Sequence, residues 1–189
     1  PVSSVAIDAD GTVHAFRREG AILTFDKNGA FLKSWGEGIA KWTHGLEIDR
    51  EGFIWATDGE GHQVKKFTPQ GELLLALGKY DVAGDGPNSF NRPTDVVVAE
   101  NGEFYVADGY GNSRIVKFSK DGRYIMDWGS KGTAPGQFDT PHALALDSRQ
   151  RLFVGDRGNK RIQIFDGEGN FLDEWTHLGI PYGIDISRD

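Results

Sequence analysis

Thr140-Pro141-His142-Ala143-Leu144-Ala145-Leu146-Asp147 is the stretch whose reading decides the fold. Its apolar residues alternate, it closes on an aspartate, and it recurs along the chain. Trp42-Thr43-His44-Gly45-Leu46-Glu47-Ile48-Asp49 lies upstream and Arg92-Pro93-Thr94-Asp95-Val96-Val97-Val98 lies between them. Ile180-Pro181-Tyr182-Gly183-Ile184-Asp185-Ile186 comes after, and Val5-Ala6-Ile7-Asp8 opens the series. A chain built from recurring units must be read as a repeat architecture first.

Working outward, each copy has four pieces. The alternating strand turns into a second one: Phe53–Asp58, Phe104–Asp108 or Leu152–Asp156. A Gly/Asn loop leads to a third, as in Ile22–Phe25, Val64–Phe67, Ile115–Phe118 and Ile162–Phe165. A turn at Asn28-Gly29, Gln70-Gly71, Asp121-Gly122 or Gly169-Asn170 opens the fourth, which ends in Trp-Gly at Trp35-Gly36 and Trp128-Gly129. Short runs with a period of two, separated by glycine turns, are strand signals, and no helical period competes.

The equivalent positions Ile7, Ile48, Val98, Leu146 and Ile186 recur at the roughly 40–50-residue spacing of four-stranded propeller blades. The expected fold is therefore all-β: an NHL-type β-propeller of four four-stranded blades plus the start of a fifth, cut from a six-bladed ring. A closed four-bladed ring with a spare strand is the alternative. The blades fall at 1–42, 43–92, 93–140 and 141–180, in one domain over 1–189, with 181–189 as the first strand of the next blade. The connections 80–91 and 130–140 read as face loops, where propellers place specificity.

Bulk composition bounds the function. The 189 residues carry a formal net charge of -7, which disfavours a groove tracking nucleic-acid phosphates. No apolar run reaches the roughly 20 residues of a membrane span. The chain reads as opening inside a repeat, and no secretory leader is expected within it. With no cysteine there is neither a disulfide nor a thiolate metal site. An open arc of blades exposes apolar faces, so self-association through open edges is expected.

The repeats resemble NHL repeats, most clearly at Asp108-Gly109-Tyr110-Gly111-Asn112-Ser113-Arg114 and Asp156-Arg157-Gly158-Asn159-Lys160-Arg161. Together with Pro135-Gly136-Gln137-Phe138, the run through Pro141-His142, Val2–Asp8 with Phe16-Arg17-Arg18, and His44–Asp49 through His62-Gln63-Val64, they resemble peptidyl-α-hydroxyglycine α-amidating lyase, a zinc enzyme. The resemblance covers essentially the whole chain and implies that about two C-terminal blades of the family's domain lie beyond it. It implies a secreted or periplasmic setting. Gly111 departs from the pattern, standing where vertebrate members carry a disulfide cysteine.

The resemblance assigns zinc to three histidines on alternate blades, with His44 and His142 as the first two and the third beyond Asp189. The repeat is consistent with this, because equivalent positions read Ser3, His44, Thr94, His142 and Tyr182. Three imidazoles and an open position suit catalytic zinc. The bland alternative is that both histidines merely fill the channel mouth. By the same resemblance, Tyr110 is the catalytic base. A phenol is a poor base at neutral pH unless a cation or metal stands beside it. Arg157 matches one active-site arginine. Counting forward from Val5 gives Arg18 as the other, and counting back from Phe25-Asp26 gives Arg17. Arg18 shares its repeat position with Arg157. Packing of Tyr110 on a neighbouring blade and solvated loop arginines are the corresponding bland readings. A structural calcium on the backbone carbonyls of Val5 and Leu46 rests on the resemblance alone; oxygen ligation suits calcium. His14, His62 and His177 read as surface or strand residues, and Asp49, Asp58, Asp108, Asp147 and Asp156 as turn residues.

The expected activity is zinc-dependent cleavage of a peptide ending in α-hydroxyglycine into peptide amide and glyoxylate. The rival is a non-catalytic NHL propeller binding a protein or other ligand. A lactonase-type propeller with a channel calcium needs acidic residues where His, Thr and Tyr stand here.

Overall fold

The computed structural model describes residues 1–186. Four antiparallel sheets follow one another along the chain, each a meander of four consecutive strands. The first holds β1 (Val2–Ile7), β2 (Val13–Arg17), β3 (Ile22–Phe25) and β4 (Phe31–Trp35). The second holds β5 (Thr43–Ile48), β6 (Ile54–Asp58), β7 (Gln63–Phe67) and β8 (Leu73–Leu77). The third holds β9 (Asp95–Val98), β10 (Phe104–Asp108), β11 (Arg114–Phe118) and β12 (Tyr124–Trp128). The fourth holds β13 (Pro141–Leu146), β14 (Leu152–Asp156), β15 (Arg161–Phe165) and β16 (Phe171–Trp175). The all-β, propeller-like expectation holds. Of the strand expected over 181–189, residues 181–186 carry no strand and 187–189 lie outside the described residues.

Register is set at the tight turn between the first two strands of each sheet. Ile48 faces Ile54, Val98 faces Phe104 and Leu146 faces Leu152. The recurring aspartate closes that turn. Asp49 accepts the N–H groups of Glu51 and Phe53, and Asp147 those of Arg149 and Arg151. An Asx turn of this kind fixes the strand ends.

The core is a series of seams between sheets. Phe16, Ile22, Leu46, Ile54 and Phe67 fill the first seam, and Trp55, Val64, Val96, Phe104 and Val106 the second. Val97, Ala107, Leu144, Val154 and Phe165 fill the third. Ile184 and Ile186 cover Phe153 and Ile164 on the far side of the fourth sheet. The second strands β6, β10 and β14 are buried along their whole length, because both faces meet a neighbour. The outermost strands stay largely exposed. Packing of both faces explains why these runs read as continuously apolar.

The two long connections are more than surface loops. Each sends one phenylalanine, Phe90 or Phe138, fully into a seam. Each is also held by a buried arginine. Arg114 donates to the carbonyls of Asp85, Gly86 and Ser89, and Arg161 to those of Thr133, Ala134 and Gln137. Asp108 and Asp156 pair with these guanidiniums at 3.0 and 2.8 Å. Their other oxygens accept loop N–H groups from Asn91 and Asp139. The strand-end aspartates are thus structural anchors beside the residues that follow them.

Candidate active site

The innermost strands of the second and fourth sheets break register at the same place. The irregularity lies between Thr43 and Leu46 in β5 and between Pro141 and Ala143 in β13. His44 and His142 sit in these bulges. A bulge bends the strand and re-aims its side chain, and such features gather beside functional sites. The two imidazoles meet across the space between their sheets with ring centres 4.7 Å apart.

Each ring is held by the next repeat. His44 Nδ1 lies 2.5 Å from the Thr94 carbonyl, and His142 Nδ1 lies 2.9 Å from the Tyr182 carbonyl. A carbonyl can only accept, so both Nδ1 atoms carry the hydrogen and both Nε2 atoms present a lone pair. Thr57 Oγ1 also donates to the Thr94 carbonyl at 3.0 Å, which fixes that acceptor in turn. A histidine with Nδ1–H tied to a backbone carbonyl and Nε2 free has the arrangement of a metal ligand.

Tyr110 stands where the two lone pairs converge. Its hydroxyl oxygen is 3.2 Å from His44 Nε2 and 3.1 Å from His142 Nε2, and Arg157 donates to it at 3.1 Å. Tyr110 follows β10 by two residues, in a turn with no slack. Tyr110 N–H donates to Arg92 O at 3.3 Å and Gly111 N–H to Asn91 O at 2.9 Å. A side chain at Gly109 would overlap the Pro141 carbonyl, and one at Gly111 would overlap the Asn91 side chain. The glycines on either side of Tyr110 are there because two backbones approach too closely for a Cβ.

The polar inventory of this cluster does not close. The phenol has one hydrogen for two imidazole lone pairs, and Arg157 occupies another side of its oxygen. One Nε2 therefore faces an oxygen without a hydrogen between them. Protonation is a poor remedy. Burial holds both histidines down to about 4; the neighbouring His142 charge then adds to the effect on His44, and the Arg157 and Arg18 charges act the same way on both. A metal cation against the two Nε2 lone pairs fits the donor set. Among the described residues, no group of three or more His, Cys, Asp and Glu side chains is placed to hold a metal. The pair supplies two nitrogen ligands.

Arg18 enters from the first sheet. It donates to the Thr43 carbonyl at 3.0 Å, and its guanidinium lies 5.6 Å from the Trp42 ring centre. Arg17 points elsewhere and pairs with Glu19 at 3.2 Å. Neither Arg18 nor Arg157 has a carboxylate partner among the described residues; their bonds go to a carbonyl and a phenol. In a chain of net charge -7, two unneutralised guanidiniums around uncharged imidazoles form a local site for an anion.

Val5 and Leu46 lie on the same cleft as His44 and His142. This cleft of about 930 Å³ runs along the four innermost strands and is also lined by Asp95. Asp95 accepts the N–H groups of Val96 and Leu144, and Gly45 leaves it room from the second sheet. Its carboxyl is partly open to the cleft, yet the surrounding protein pushes it up to about 7, against those two bonds. His14 is buried in β2 beside Asp8 at 3.5 Å, and His62 accepts the Arg92 N–H.

Sequence reasoning did not single out Trp42, nor the Thr94 and Tyr182 carbonyls. The latter two had a signal, since Thr94 and Tyr182 occupy the repeat position of the two histidines. Trp42 had none beyond being a tryptophan two residues ahead of His44.

The NHL repeat signature matches residues 90–118 and 138–165. Peptidyl-glycine alpha-amidating monooxygenase B of Xenopus laevis is 44% identical over 169 residues, covering 85% of this chain and 19% of that protein. NHL repeat-containing protein 3 of Mus musculus is 37% identical over 189 residues, covering 92% and 54%. Peptidyl-alpha-hydroxyglycine alpha-amidating lyase 1 of Drosophila melanogaster is 40% identical over 172 residues, covering 84% and 32%. The chain thus spans about half or less of the length of these relatives. Among solved structures, a streptogramin B lyase superposes with a TM-score of 0.70 at 21% identity, covering 94% of this chain and 56% of that one; the likeness is one of fold. The chain carries NHL repeats and is related both to the amidating proteins and to NHL repeat-containing protein 3.

Proposed function

We propose that the site cleaves a peptide ending in α-hydroxyglycine into the peptide amide and glyoxylate. One observation carries the reading: a phenol oxygen placed between two imidazole lone pairs and a guanidinium, with two arginines that have no carboxylate partner among the described residues. The relation to the Drosophila melanogaster lyase and the Xenopus laevis monooxygenase supplies the substrate class.

His44 and His142 would hold a zinc ion through Nε2, with a third histidine expected beyond Asp189. When bound, the metal makes the substrate hydroxyl more acidic. The residues of this chain do the rest. Arg18 and Arg157 bind the substrate carboxylate and orient the carbinol carbon toward Tyr110. Acting as the phenolate, Tyr110 takes the hydroxyl proton. The oxygen then forms the carbonyl of glyoxylate as the carbon–nitrogen bond breaks, its electron pair goes to the amide nitrogen, and Tyr110 passes the same proton to that nitrogen, which regenerates the phenolate. The carbonyls of Val5 and Leu46 are proposed calcium ligands at the central cleft.

The relation to NHL repeat-containing protein 3 over 92% of the chain favours a second reading, a propeller that binds a ligand without turnover. Glyoxylate release by the full-length parent protein separates the two. The lyase reading expects release that a chelator abolishes and that Tyr110→Phe lowers by about 10²–10⁴-fold, the range for a general base. Turnover by Tyr110→Phe at the parental rate removes the assigned base. A folded, zinc-loaded protein that releases no glyoxylate removes the reaction.

A further inference from the structure

We propose that Arg18, Trp42, Tyr110, Arg157 and Tyr182 form one contiguous row, in which Trp42 and Tyr182 are positioning residues for the two guanidiniums and the phenol. The proposal builds on the roles given above to Tyr110, Arg18 and Arg157. The row runs cation, ring, ring, cation, ring. Arg18 lies 5.6 Å from the Trp42 ring centre, and Trp42 lies 5.2 Å from Tyr110. Arg157 lies 5.0 Å from the Tyr110 ring centre and 5.6 Å from that of Tyr182. Each sheet contributes one member and the segment after β16 contributes the last.

The two outer rings are anchored independently of the row. The Lys41 and Trp42 N–H groups both donate to Asp58 Oδ1 at 3.0 Å, and Gly59 N–H donates to the Trp42 carbonyl at 2.8 Å. The indole lies flat on Gly59, where an added Cβ would come within 2.5 Å of Cε3. Tyr182 is fixed by its carbonyl bond to His142 and by the buried Pro181 before it. Tyr182 is 66% exposed, so the core does not require its ring.

An arginine side chain is long and rotamer-rich, and an uncommitted guanidinium wanders. Rings on its faces hold its plane while leaving its N–H edges free to donate. Arg157 lies beside two rings, Tyr110 and Tyr182, while one N–H reaches the Tyr110 oxygen. Tyr182 thereby acts on both parts of the site, through its ring on Arg157 and through its carbonyl on His142. Trp42 does the same on the other flank, touching Arg18, His44 and Tyr110.

The test is phenylglyoxal labelling of the full-length parent protein, with Arg157 and Arg18 quantified separately by peptide mass mapping. Labelling of Arg157 should rise about two- to fivefold in Tyr182→Ala, the scale of an exposed cation–π contact. It should return to the parental rate in Tyr182→Phe and stay high in Tyr182→Leu, which restores bulk without a ring. Arg18 should behave alike in Trp42→Leu and Trp42→Phe. Where glyoxylate is released, kcat/KM should follow the labelling, with zinc content unchanged because the Tyr182 carbonyl remains. Equal labelling of Arg157 in Tyr182→Ala and the parent overturns the row, and so does protection by Leu equal to that by Phe. Altered labelling in a protein that releases no glyoxylate sinks the lyase reading and leaves the row standing.

Discussion

Replacing Gly109 by alanine tests the geometry of the whole cluster with one methyl group. Gly109 separates the anchored Asp108 from Tyr110, and the new Cβ would overlap the carbonyl oxygen of Pro141, with Thr94 Cγ2 at 3.2 Å. That carbonyl already accepts the Thr94 hydroxyl at 2.8 Å and belongs to the residue before His142. Neither backbone is a flexible side-chain end, so the two must part by on the order of 1 Å, and Tyr110 and His142 move with them. A displacement of that size at reacting groups costs about 10²-fold in rate. Overpacking of this kind destabilises by about 1–3 kcal/mol. At roughly 2–4 °C per kcal/mol for a chain of this size, the melting midpoint should fall by about 2–12 °C. Glyoxylate release by the full-length parent and a thermal melt read the two effects. A Gly109→Ala protein with parental kcat and an unchanged midpoint would refute the claim that this contact sets the position of Tyr110.

Three further outcomes follow from the same geometry. Arg161→Met leaves Asp156 buried without its cation and takes the guanidinium donors away from three loop carbonyls, and should cost about 3–5 kcal/mol in urea unfolding. A loss below about 1 kcal/mol, the range of an exposed pair, would show that the arginine is dispensable. Burial pushes Asp95 up to about 7, so the native state keeps a proton that the unfolded chain has released, and this group makes stability fall as pH rises toward 7. His44 and His142, held down at about 4, act oppositely: below the ordinary imidazole value near 6.5 the unfolded chain takes up protons first, so stability rises with pH over that window. Urea midpoints of Asp95→Asn should show the rising limb alone; a profile overlaying the parent's would remove Asp95 from the balance. Glycine 111 offers a milder test than Gly109: Gly111→Ala meets a side chain, Asn91, that can rotate away, so its rate loss should be smaller in the same assay.

The repeat was legible because its signal is periodic and carried by side chains. Alternation about Leu46, Val96 and Leu144 places the innermost strands, and glycine turns place the rest. The pairing of His44 with His142 was legible for the same reason, as two equivalent positions of alternate repeats. The bulges that aim them, and the Thr94 and Tyr182 carbonyls that fix their tautomers, are backbone features and leave no residue-type signature. The choice between Arg17 and Arg18 depends on which side of a strand end faces the site. The structure places Arg18 on Trp42 and Arg17 on Glu19, a distinction that counting along the chain left open.

Why the NHL signature covers the third and fourth sheets, while all four share one topology, has a physical answer in the connections that precede them. Before β9 and β13 the chain makes long excursions whose carbonyls turn inward. Each is gathered by an arginine with several donors in a fixed fork, held in turn by a strand-end aspartate to which an asparagine also donates. Before β5 the connection is short. Lys65 reaches a single carbonyl there, that of Ile39, and lies 3.6 Å from Asp58. The second strand of the first sheet ends on Arg17 instead of an aspartate. The alternation of apolar residues therefore encodes the blade, and the Asp–Asn–Arg cluster encodes the loop in front of it. Asp108 ends the strand from which Tyr110 departs, and Asp156 the one from which Arg157 departs. The anchors that hold the long loops thus also hold the two groups that meet at the phenol oxygen.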